Sequence, residues 1–215
     1  MTDAVAGIET IHADAHLLVL NKPAGLLSVP GKGADKQDCL SSRVQQIYPD
    51  ALVVHRLDMA TSGLMLMARG AAMQIALSKM FEMRQVQKRY VAVVDGCMTI
   101  NSEWQLIDLP IALNWPDRPL RIIDANGKPS QTRWRVLQAC SVANTTRVEL
   151  EPITGRSHQL RVHLKALGHP ILGDALYAPA AVVAQASRLL LHARALQFLH
   201  PANGEALAFE AAPAF

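Results

Sequence analysis

The chain has 215 residues, of which half are hydrophobic and 18% are charged, and its formal net charge is +3. Such a composition excludes a disordered chain, which would carry fewer hydrophobic residues. No apolar run approaches the roughly 20 residues that cross a bilayer, and the first residues lack the basic-then-apolar order of a secretion signal. The sequence therefore predicts a globular, cytoplasmic protein, whose small positive charge permits a polyanionic partner without requiring one.

Cysteine and histidine, the usual zinc ligands, show no metal-binding pattern. The three cysteines are odd in number and widely separated, so neither a disulfide framework nor a zinc site is indicated. His158, His163 and His169 lack a carboxylate partner at ligand spacing. We therefore predict reduced cysteines and no bound metal.

The first half of the chain reads as buried strands separated by turns. Residues 16–21 predict a strand that ends at the turn 22–25, and residues 51–55 form another apolar stretch. Residues 62–68 are apolar without alternation, which predicts a strand covered on both faces. Met73, Leu77, Met80 and Phe81 recur at helical spacing, so a helix is predicted over 71–83.

The second half reads mainly as strands with alternating polarity. Residues 90–95 predict a strand, and 132–136 and 146–150 alternate apolar with charged residues, as antiparallel strands with one wet face do. The segment 114–130 is rich in turn formers, and Asn126-Gly127 predicts a hairpin turn. Residues 187–199 form an apolar element of undefined type. This pattern favours an α+β fold on a mostly antiparallel sheet.

One further helix is predicted after the segment 155–157. Ser157 is the expected N-cap, the helix ends at Gly168, and its buried stripe consists of Leu160, Leu164 and Leu167. Another face carries the basic residues His158, Arg161 and Lys165.

Asp58 is the most unusual side chain, because apolar residues surround it in the sequence and a buried carboxylate is costly unless it has a partner. It occupies the short polar segment 56–61 between two apolar stretches. From local composition alone, two interpretations stay open: a loop carboxylate that caps a turn toward Thr61 or Ser62, and a functional carboxylate.

The surroundings of Asp58 resemble the signature of the RluA-type pseudouridine synthases. HRLD at 55–58 is followed by TSG at 61–63, and ITGRSHQLR comes about a hundred residues later at 153–161. The family's remaining blocks occur in the family's order, namely KPAG (22–25), KRY (88–90), GKP (127–129), GHPILGD (168–174) and LLHA (190–193).

The resemblance implies an enzyme that isomerises uridine to pseudouridine in structured RNA, without cofactor or metal. It also implies one catalytic domain over 1–215, with a central mixed sheet, an active-site cleft across it and no N-terminal S4-like RNA-binding domain. The short members that it resembles most have dual specificity for 23S ribosomal RNA and a transfer-RNA anticodon stem-loop. We expect no membrane association and no obligate protein partner.

The resemblance also assigns the catalytic residues. It implies that Asp58 is the nucleophile, that Arg156 pairs with it as a permanent cation, and that Tyr90 lies against the target uracil. The alternatives are a surface arginine at a helix start and a core tyrosine that shares a strand face with Ala92 and Val94.

Further residues are expected around the substrate. Arg56 matches the arginine that, in members of the family, enters the space left by the extracted uridine. A simple phosphate contact is the alternative role for Arg56. His55 is expected to orient the loop, and the uracil pocket is walled by Leu160, Ile171 and Leu172. The segment 115–128 is expected to clamp the RNA. Phosphate contacts are expected from basic residues that occur in small clusters along the sequence. These residues are Arg84, Lys88, Arg89, Arg118, Arg121, Lys128, Arg133, Arg135, Arg161 and Lys165.

Two rival functions remain at this point. Asp58 and Arg156 would equally serve an RNA N-glycosidase, which cleaves the same bond but transfers the sugar to water. The second rival is a catalytically silent RNA-binding or chaperone protein, which has no need of the carboxylate.

Overall fold

The computed structural model describes residues 4–5, 7–100 and 102–215. The domain predicted over 1–215 therefore includes residues 1–3, 6 and 101, which lie outside the described residues. The chain divides into two compact units: the first holds the residues up to Lys88 together with His192–Ala214, and the second holds Arg89–Leu191 with Phe215. The single catalytic domain stays a prediction.

The described residues form thirteen strands and four α-helices. The strands are β1 (Ala4–Val5), β2 (Ile8–Ala13), β3 (Leu17–Lys22), β4 (Ala51–Val53), β5 (Ser62–Arg69), β6 (Gln87–Asp95), β7 (Gln105–Asp108), β8 (Ile111–Leu113), β9 (Arg121–Ile123), β10 (Gln131–Cys140), β11 (Thr145–Pro152), β12 (Leu191–Leu199) and β13 (Ala206–Glu210). The helices are α1 (Leu40–Gln45), α2 (Ala71–Glu82), α3 (Gln159–Ala166) and α4 (Ala180–Val183), with a 3₁₀ turn at Ala34–Lys36. Among the described residues, no helix has the length and apolar character required to cross a membrane.

In the first unit the strands follow the order β1-β2-β3-β5-β12, with β4 beside β5 and β13 beside β12. The pairs are antiparallel except for β5 and β12, which run parallel. All of β5 except its last residue is buried, which confirms the prediction of a strand covered on both faces. Helix α1 and residues such as Leu18 and Met65 pack on one face, and α2 packs with Leu17 and Leu64 on the other.

In the second unit the strand order is β6-β11-β10-β7, entirely antiparallel, and β8 pairs with β9 as a separate two-stranded sheet. The predicted alternation holds in β10, where Thr132, Trp134 and Val136 are buried. It is wrong at one position of β11: Glu149 was expected on the wet face but is buried, because its carboxylate pairs with Arg135 at 2.6 Å. Antiparallel strands with few helices confirm the α+β class.

The turn chemistry of the second unit differs from the sequence prediction. The β8–β9 hairpin turns through residues 114–120, whereas Asn126-Gly127 lies at the end of a separate turn, in which Gly127 N donates to Asp124 O at 2.8 Å. Ser157 is not the N-cap of α3, because the residue before the helix is His158, in the left-handed conformation with φ of 58°. Leu160 and Leu164 are buried as predicted, but Leu167 is 36% exposed because the helix ends at Ala166, one residue before it.

Candidate active site

Asp58 lies in the first unit, in the loop that connects β4 to β5. Its side chain is half-buried, between the buried Leu57 and the exposed Met59. A backbone hydrogen bond from Thr61 N to Asp58 O, 3.1 Å long, closes a tight turn at this point. The carboxylate therefore stands on a short, defined turn directly before the most completely buried strand of the first unit.

A buried lysine, Lys22, holds this turn through hydrogen bonds to backbone carbonyl groups. Lys22, at the end of β3, has a relative exposure of 0%. Its Nζ donates to the carbonyl oxygens of Pro23, Leu26 and Met59 at 2.9, 2.8 and 3.1 Å. Burial lowers the pKa of Lys22 from 10.5 to about 8, while the negative charge of Asp58 acts in the opposite direction. The ammonium group of Lys22 thus interacts with the charge of Asp58. Its hydrogen bonds tie the turn 22–25 to the Asp58 loop.

Two further contacts fix the same loop. The Ser28 hydroxyl donates to Leu57 O at 2.8 Å and accepts from Leu57 N at 3.1 Å, so it bonds to both backbone groups of the residue before Asp58. Gly25 N donates to Met59 O at 2.8 Å. The backbone on both sides of Asp58 is therefore held by atoms from the segment that follows β3.

His55 is used within the protein fold. Its Nε2 accepts a hydrogen bond from Leu66 N at 2.9 Å, and its ring stacks on Phe81 with 4.4 Å between centroids. Burial lowers the pKa of His55 to about 3, with a further contribution from the positive charge of Lys88. The imidazole is therefore neutral and positioned to orient the loop, while its neighbour Arg56 is exposed.

Tyr90 belongs to the second unit, where it lies on β6 opposite Leu150 of β11. The tyrosine is half-buried, whereas Ala92 and Val94 on the same strand face are fully buried. Tyr90 is thus the accessible end of an otherwise buried strand face.

Arg156 also belongs to the second unit, in the segment between β11 and α3. Its side chain is exposed, and its Nε donates to Pro129 O at 3.3 Å. Its backbone is closed onto Gln159 in both directions: Arg156 N donates to Gln159 Oε1 at 3.0 Å, and Gln159 N donates to Arg156 O at 3.1 Å. The guanidinium therefore projects from a rigid backbone.

The three residues expected to wall the uracil pocket, Leu160, Ile171 and Leu172, are all buried. Leu160 lies in the first turn of α3. Ile171 bridges to Val94 of β6, and Leu172 N donates to Val93 O at 3.0 Å. The apolar residues at 171 and 172 are therefore attached to the strand that carries Tyr90.

The predicted RNA-contacting residues differ in their pairing, and three of them, Arg89, Arg133 and Arg135, form ion pairs with Glu151 or Glu149. Arg118 and Lys128 are exposed, as a phosphate contact requires. Arg161 is a correction: it was expected on a solvated basic stripe but is 4% exposed, because it forms a bidentate ion pair with the buried Asp174 at 2.8 and 2.6 Å. Its guanidinium is used to hold the segment after α3.

The histidines considered for metal binding are bonded to protein groups. His158 Nδ1 lies 2.6 Å from Tyr177 Oη, His163 lies within 3.0 Å of Thr132 Oγ1 and Leu109 O, and His169 Nδ1 lies 2.8 Å from Asp95 O. Within the described residues, no group of three or more histidine, cysteine or acidic side chains could hold a metal ion.

Sequence reasoning missed two residues that support the site, Lys22 and Gln159. A detectable signal existed for each. Lys22 directly continues an apolar strand, where a lysine must find acceptors. Gln159 stands three residues after Arg156, the spacing at which a glutamine side chain returns to a backbone N–H at a helix start.

Comparison with known proteins decides the family. Residues 16–166 match the family model described as RNA pseudouridylate synthase. The chain belongs to the RNA pseudouridylate synthase family. It is an RNA-modifying isomerase that converts uridine in RNA. This assignment confirms the family, the enzyme class and the α+β fold predicted from the sequence.

Individual pseudouridine synthases resemble the chain over most of its length. It is 48% identical over 202 residues to the dual-specificity RNA pseudouridine synthase RluA of Escherichia coli K12, covering 94% of this chain and 91% of that protein. The RluA of Vibrio vulnificus is also 48% identical, with 90% and 78% covered. Among solved structures, human RNA pseudouridylate synthase domain containing 1 is 28% identical with a TM-score of 0.81, covering 100% of this chain and 87% of that one.

Proposed function

We propose that Asp58 is the nucleophile with which this pseudouridine synthase isomerises uridine. The observation that carries the proposal is the match of the HRLDMATSG segment to the family's catalytic block, with the carboxylate on a turn that is anchored on both sides. The negative charge of Asp58 raises the pKa of the buried Lys22, so the two groups attract each other electrostatically.

The reaction exchanges one bond of the uridine for another. The bond between uracil N1 and ribose C1′ breaks, the base rotates, and a bond between C5 and C1′ forms, while C5 loses a proton and N1 gains one. A carboxylate can begin this sequence by attack on C1′ or on C6 of the uracil. The product has the mass of the substrate, so the reaction consumes no oxidant, reductant or transferred group.

We propose the roles of Arg156 and Tyr90 from their matches to the family's blocks. Arg156 would be the arginine that pairs with the nucleophile, and a guanidinium keeps its charge at every working pH. Tyr90 would offer its ring to the uracil, since stacking on an aromatic side chain contributes about 1–3 kcal/mol per base. Leu160, Ile171 and Leu172 would form the apolar wall of the pocket.

We propose that the RNA is held through backbone phosphates and one inserted arginine. Arg56 would fill the place of the extracted uridine, whose removal from the stack costs a few kcal/mol. The β8–β9 hairpin supports this proposal: its loop carries the exposed Arg118, whose guanidinium lies 4.8 Å above the ring of Trp115, and the indole is 66% exposed. Lys128 is exposed on the segment that follows the hairpin.

By similarity to RluA, we further propose that the substrates are ribosomal RNA and a transfer RNA, modified in the cytoplasm. Pseudouridine mapping of total RNA from cells with and without the gene tests this directly. Sites that vanish from only one of the two RNA classes would contradict dual specificity.

Product analysis tests the catalytic proposal. The purified protein should convert uridine to an isomer of unchanged mass, whereas an N-glycosidase would release free uracil and leave an abasic site. Asp58→Ala should abolish this conversion while RNA affinity stays within about tenfold, because the carboxylate acts in the chemical step. An RNA-binding protein without activity would show neither product.

The dependence of affinity on salt tests the phosphate contacts. The logarithm of the association constant should fall against the logarithm of salt concentration with a slope of roughly 0.7–0.9 per phosphate contacted. A flat response would contradict the proposed phosphate contacts.

A further inference from the structure

Gln159 is a buried amide whose hydrogen-bonding groups are all engaged. It is 3% exposed. Its Oε1 accepts from Arg156 N at 3.0 Å and from Thr154 Oγ1 at 2.7 Å, and its Nε2 donates to Gln131 O and Thr132 Oγ1, both at 2.9 Å. One side chain therefore joins the segment before α3 to the first residues of β10.

The network allows only one orientation of this amide. Arg156 N is a donor, so it requires the oxygen of the amide, and Gln131 O is an acceptor, so it requires the nitrogen. The Thr132 hydroxyl, which accepts from Gln159, can donate in turn to His163 Nδ1 at 2.9 Å, and His163 Nε2 donates to Leu109 O at 3.0 Å. Each donor thus meets an acceptor, which makes the arrangement rigid.

This hydrogen-bond network holds the backbone of Arg156 in place. The bond from Arg156 N to the Gln159 side chain and the bond from Gln159 N to Arg156 O close a tight turn directly before α3. The Arg156 side chain itself is exposed, with Nε bonded to Pro129 O. Gln159 therefore holds the backbone from which the side chain of Arg156 extends, while the bond to Pro129 O holds its Nε.

We propose that Gln159 is the positioning residue for Arg156 in the isomerisation. The inference rests on the catalytic role proposed above for Arg156. Gln159 acts only through the arginine, and its contribution is to keep the guanidinium in the geometry that the reaction requires. A small displacement of a catalytic group is enough to slow a reaction about a hundredfold.

The test compares Gln159→Met with a matched variant of another buried polar side chain in the same unit. Gln159→Met should lower kcat roughly 10–100-fold with KM within about threefold. Thr146→Val removes another buried hydrogen-bonding side chain of the second unit, whose hydroxyl donates to Gly96 O at 2.7 Å and accepts from Met98 N at 2.9 Å, outside the network of Gln159. It should lower the melting temperature comparably and leave kcat within about twofold, in assays well below both melting temperatures.

Two additional variants separate positioning from a general structural role. Gln159→Glu keeps an acceptor for Arg156 N and Thr154 Oγ1 but loses the donors to β10, so it should retain more activity than Gln159→Met. In an Arg156→Ala background, Gln159→Met should cause less than about a twofold further loss of kcat, because residues that act as a unit are not additive.

The outcomes distinguish the two proposals. If Arg156→Ala lowers kcat but Gln159→Met behaves like Thr146→Val, or if the two losses multiply in the double variant, the positioning role is wrong while the role of Arg156 stands. If Arg156→Ala leaves kcat unchanged, the catalytic role of the arginine is wrong, and the inference about Gln159 falls with it.

Discussion

The Asp58 loop and the Arg156 segment are each held by the hydrogen bonds of one buried side chain, but the two side chains differ in charge. In the first unit, a buried ammonium group, Lys22, donates to three carbonyl oxygens around the loop. In the second unit, a neutral amide, Gln159, satisfies two donors and two acceptors. The anionic side chain thus has a charged anchor, and the cationic side chain has a neutral one.

The charge of each anchor is compatible with the charge of the side chain whose segment it holds. The ammonium group of Lys22 is attracted by the negative charge of Asp58, whereas a second cation beside Arg156 would be repelled. The charged anchor has a cost, because burial lowers the pKa of Lys22 to about 8. Glutamine carries no such cost, so pH should affect the anchoring of the Asp58 loop more than that of the Arg156 segment.

The largest effect is expected from replacing the charged anchor. Lys22→Met should lower the free energy of unfolding by about 3 kcal/mol, because carbonyl groups of Pro23, Leu26 and Met59 lose a buried donor. Activity per folded molecule should fall less than about tenfold, since Ser28 and Gly25 still hold the loop. Denaturant unfolding and assays at low temperature measure the two quantities.

Lys79→Met, on the exposed face of α2, is the control and should leave stability within about 0.5 kcal/mol. An unfolding free energy for Lys22→Met equal to that of the control would show that the buried lysine is not an anchor.

A smaller effect is expected from acid, through His55. Its folded pKa of about 3 lies below the ordinary value of 6.5, so the unfolded state binds more protons between these values. The stabilisation that comes from the neutral imidazole is complete above pH 6.5 and is lost as pH falls toward 3. The loss amounts to about 2 kcal/mol at pH 5.

The measurement is the difference between wild type and His55→Gln in unfolding free energy, followed from pH 7 to pH 5. That difference should shrink by the stated amount as the wild type loses its advantage. A difference that stays constant with pH would mean that His55 does not titrate on unfolding.

The smallest effect is expected at a neutral anchor within the Asp58 loop. Ser28→Ala removes the hydroxyl that bonds to both backbone groups of Leu57 and should lower the free energy of unfolding by about 1–2 kcal/mol. Ser78→Ala on the exposed part of α2 is the control. A loss as large as that of Lys22→Met would remove the distinction between charged and neutral anchors.

The strands were predictable because their patterns are local. Residues 62–68 contain only apolar or small side chains, and the structure buries them on both faces. Errors arose where a distant partner decides the outcome. Glu149 and Arg161 are buried because Arg135 and Asp174 neutralise them, and charge alternation along a strand or helix does not reveal such a partner.

The candidate site was predictable through its motifs but not through its supports. Asp58 stood out as a carboxylate among apolar residues, and the family resemblance supplied Arg156 and Tyr90. The anchoring role of Lys22 depends on Met59, which is 37 residues away in the chain. That of Gln159 depends on Gln131, which is 28 residues away. The local sequence marks Lys22 and Gln159 as unusual, but their distant partners follow only from the fold.

The role of Asp58 as the nucleophile is tested most directly by the loss of tritium from RNA labelled at C5 of uridine, measured in a single turnover. Because C5 exchanges its hydrogen for a bond to C1′, the wild-type protein should release tritium to water without releasing uracil. Asp58→Asn, which removes the charge but keeps the shape, should release none above background while it still binds the RNA. Tritium release by Asp58→Asn at a rate near that of the wild type would contradict the assignment of Asp58 as the nucleophile.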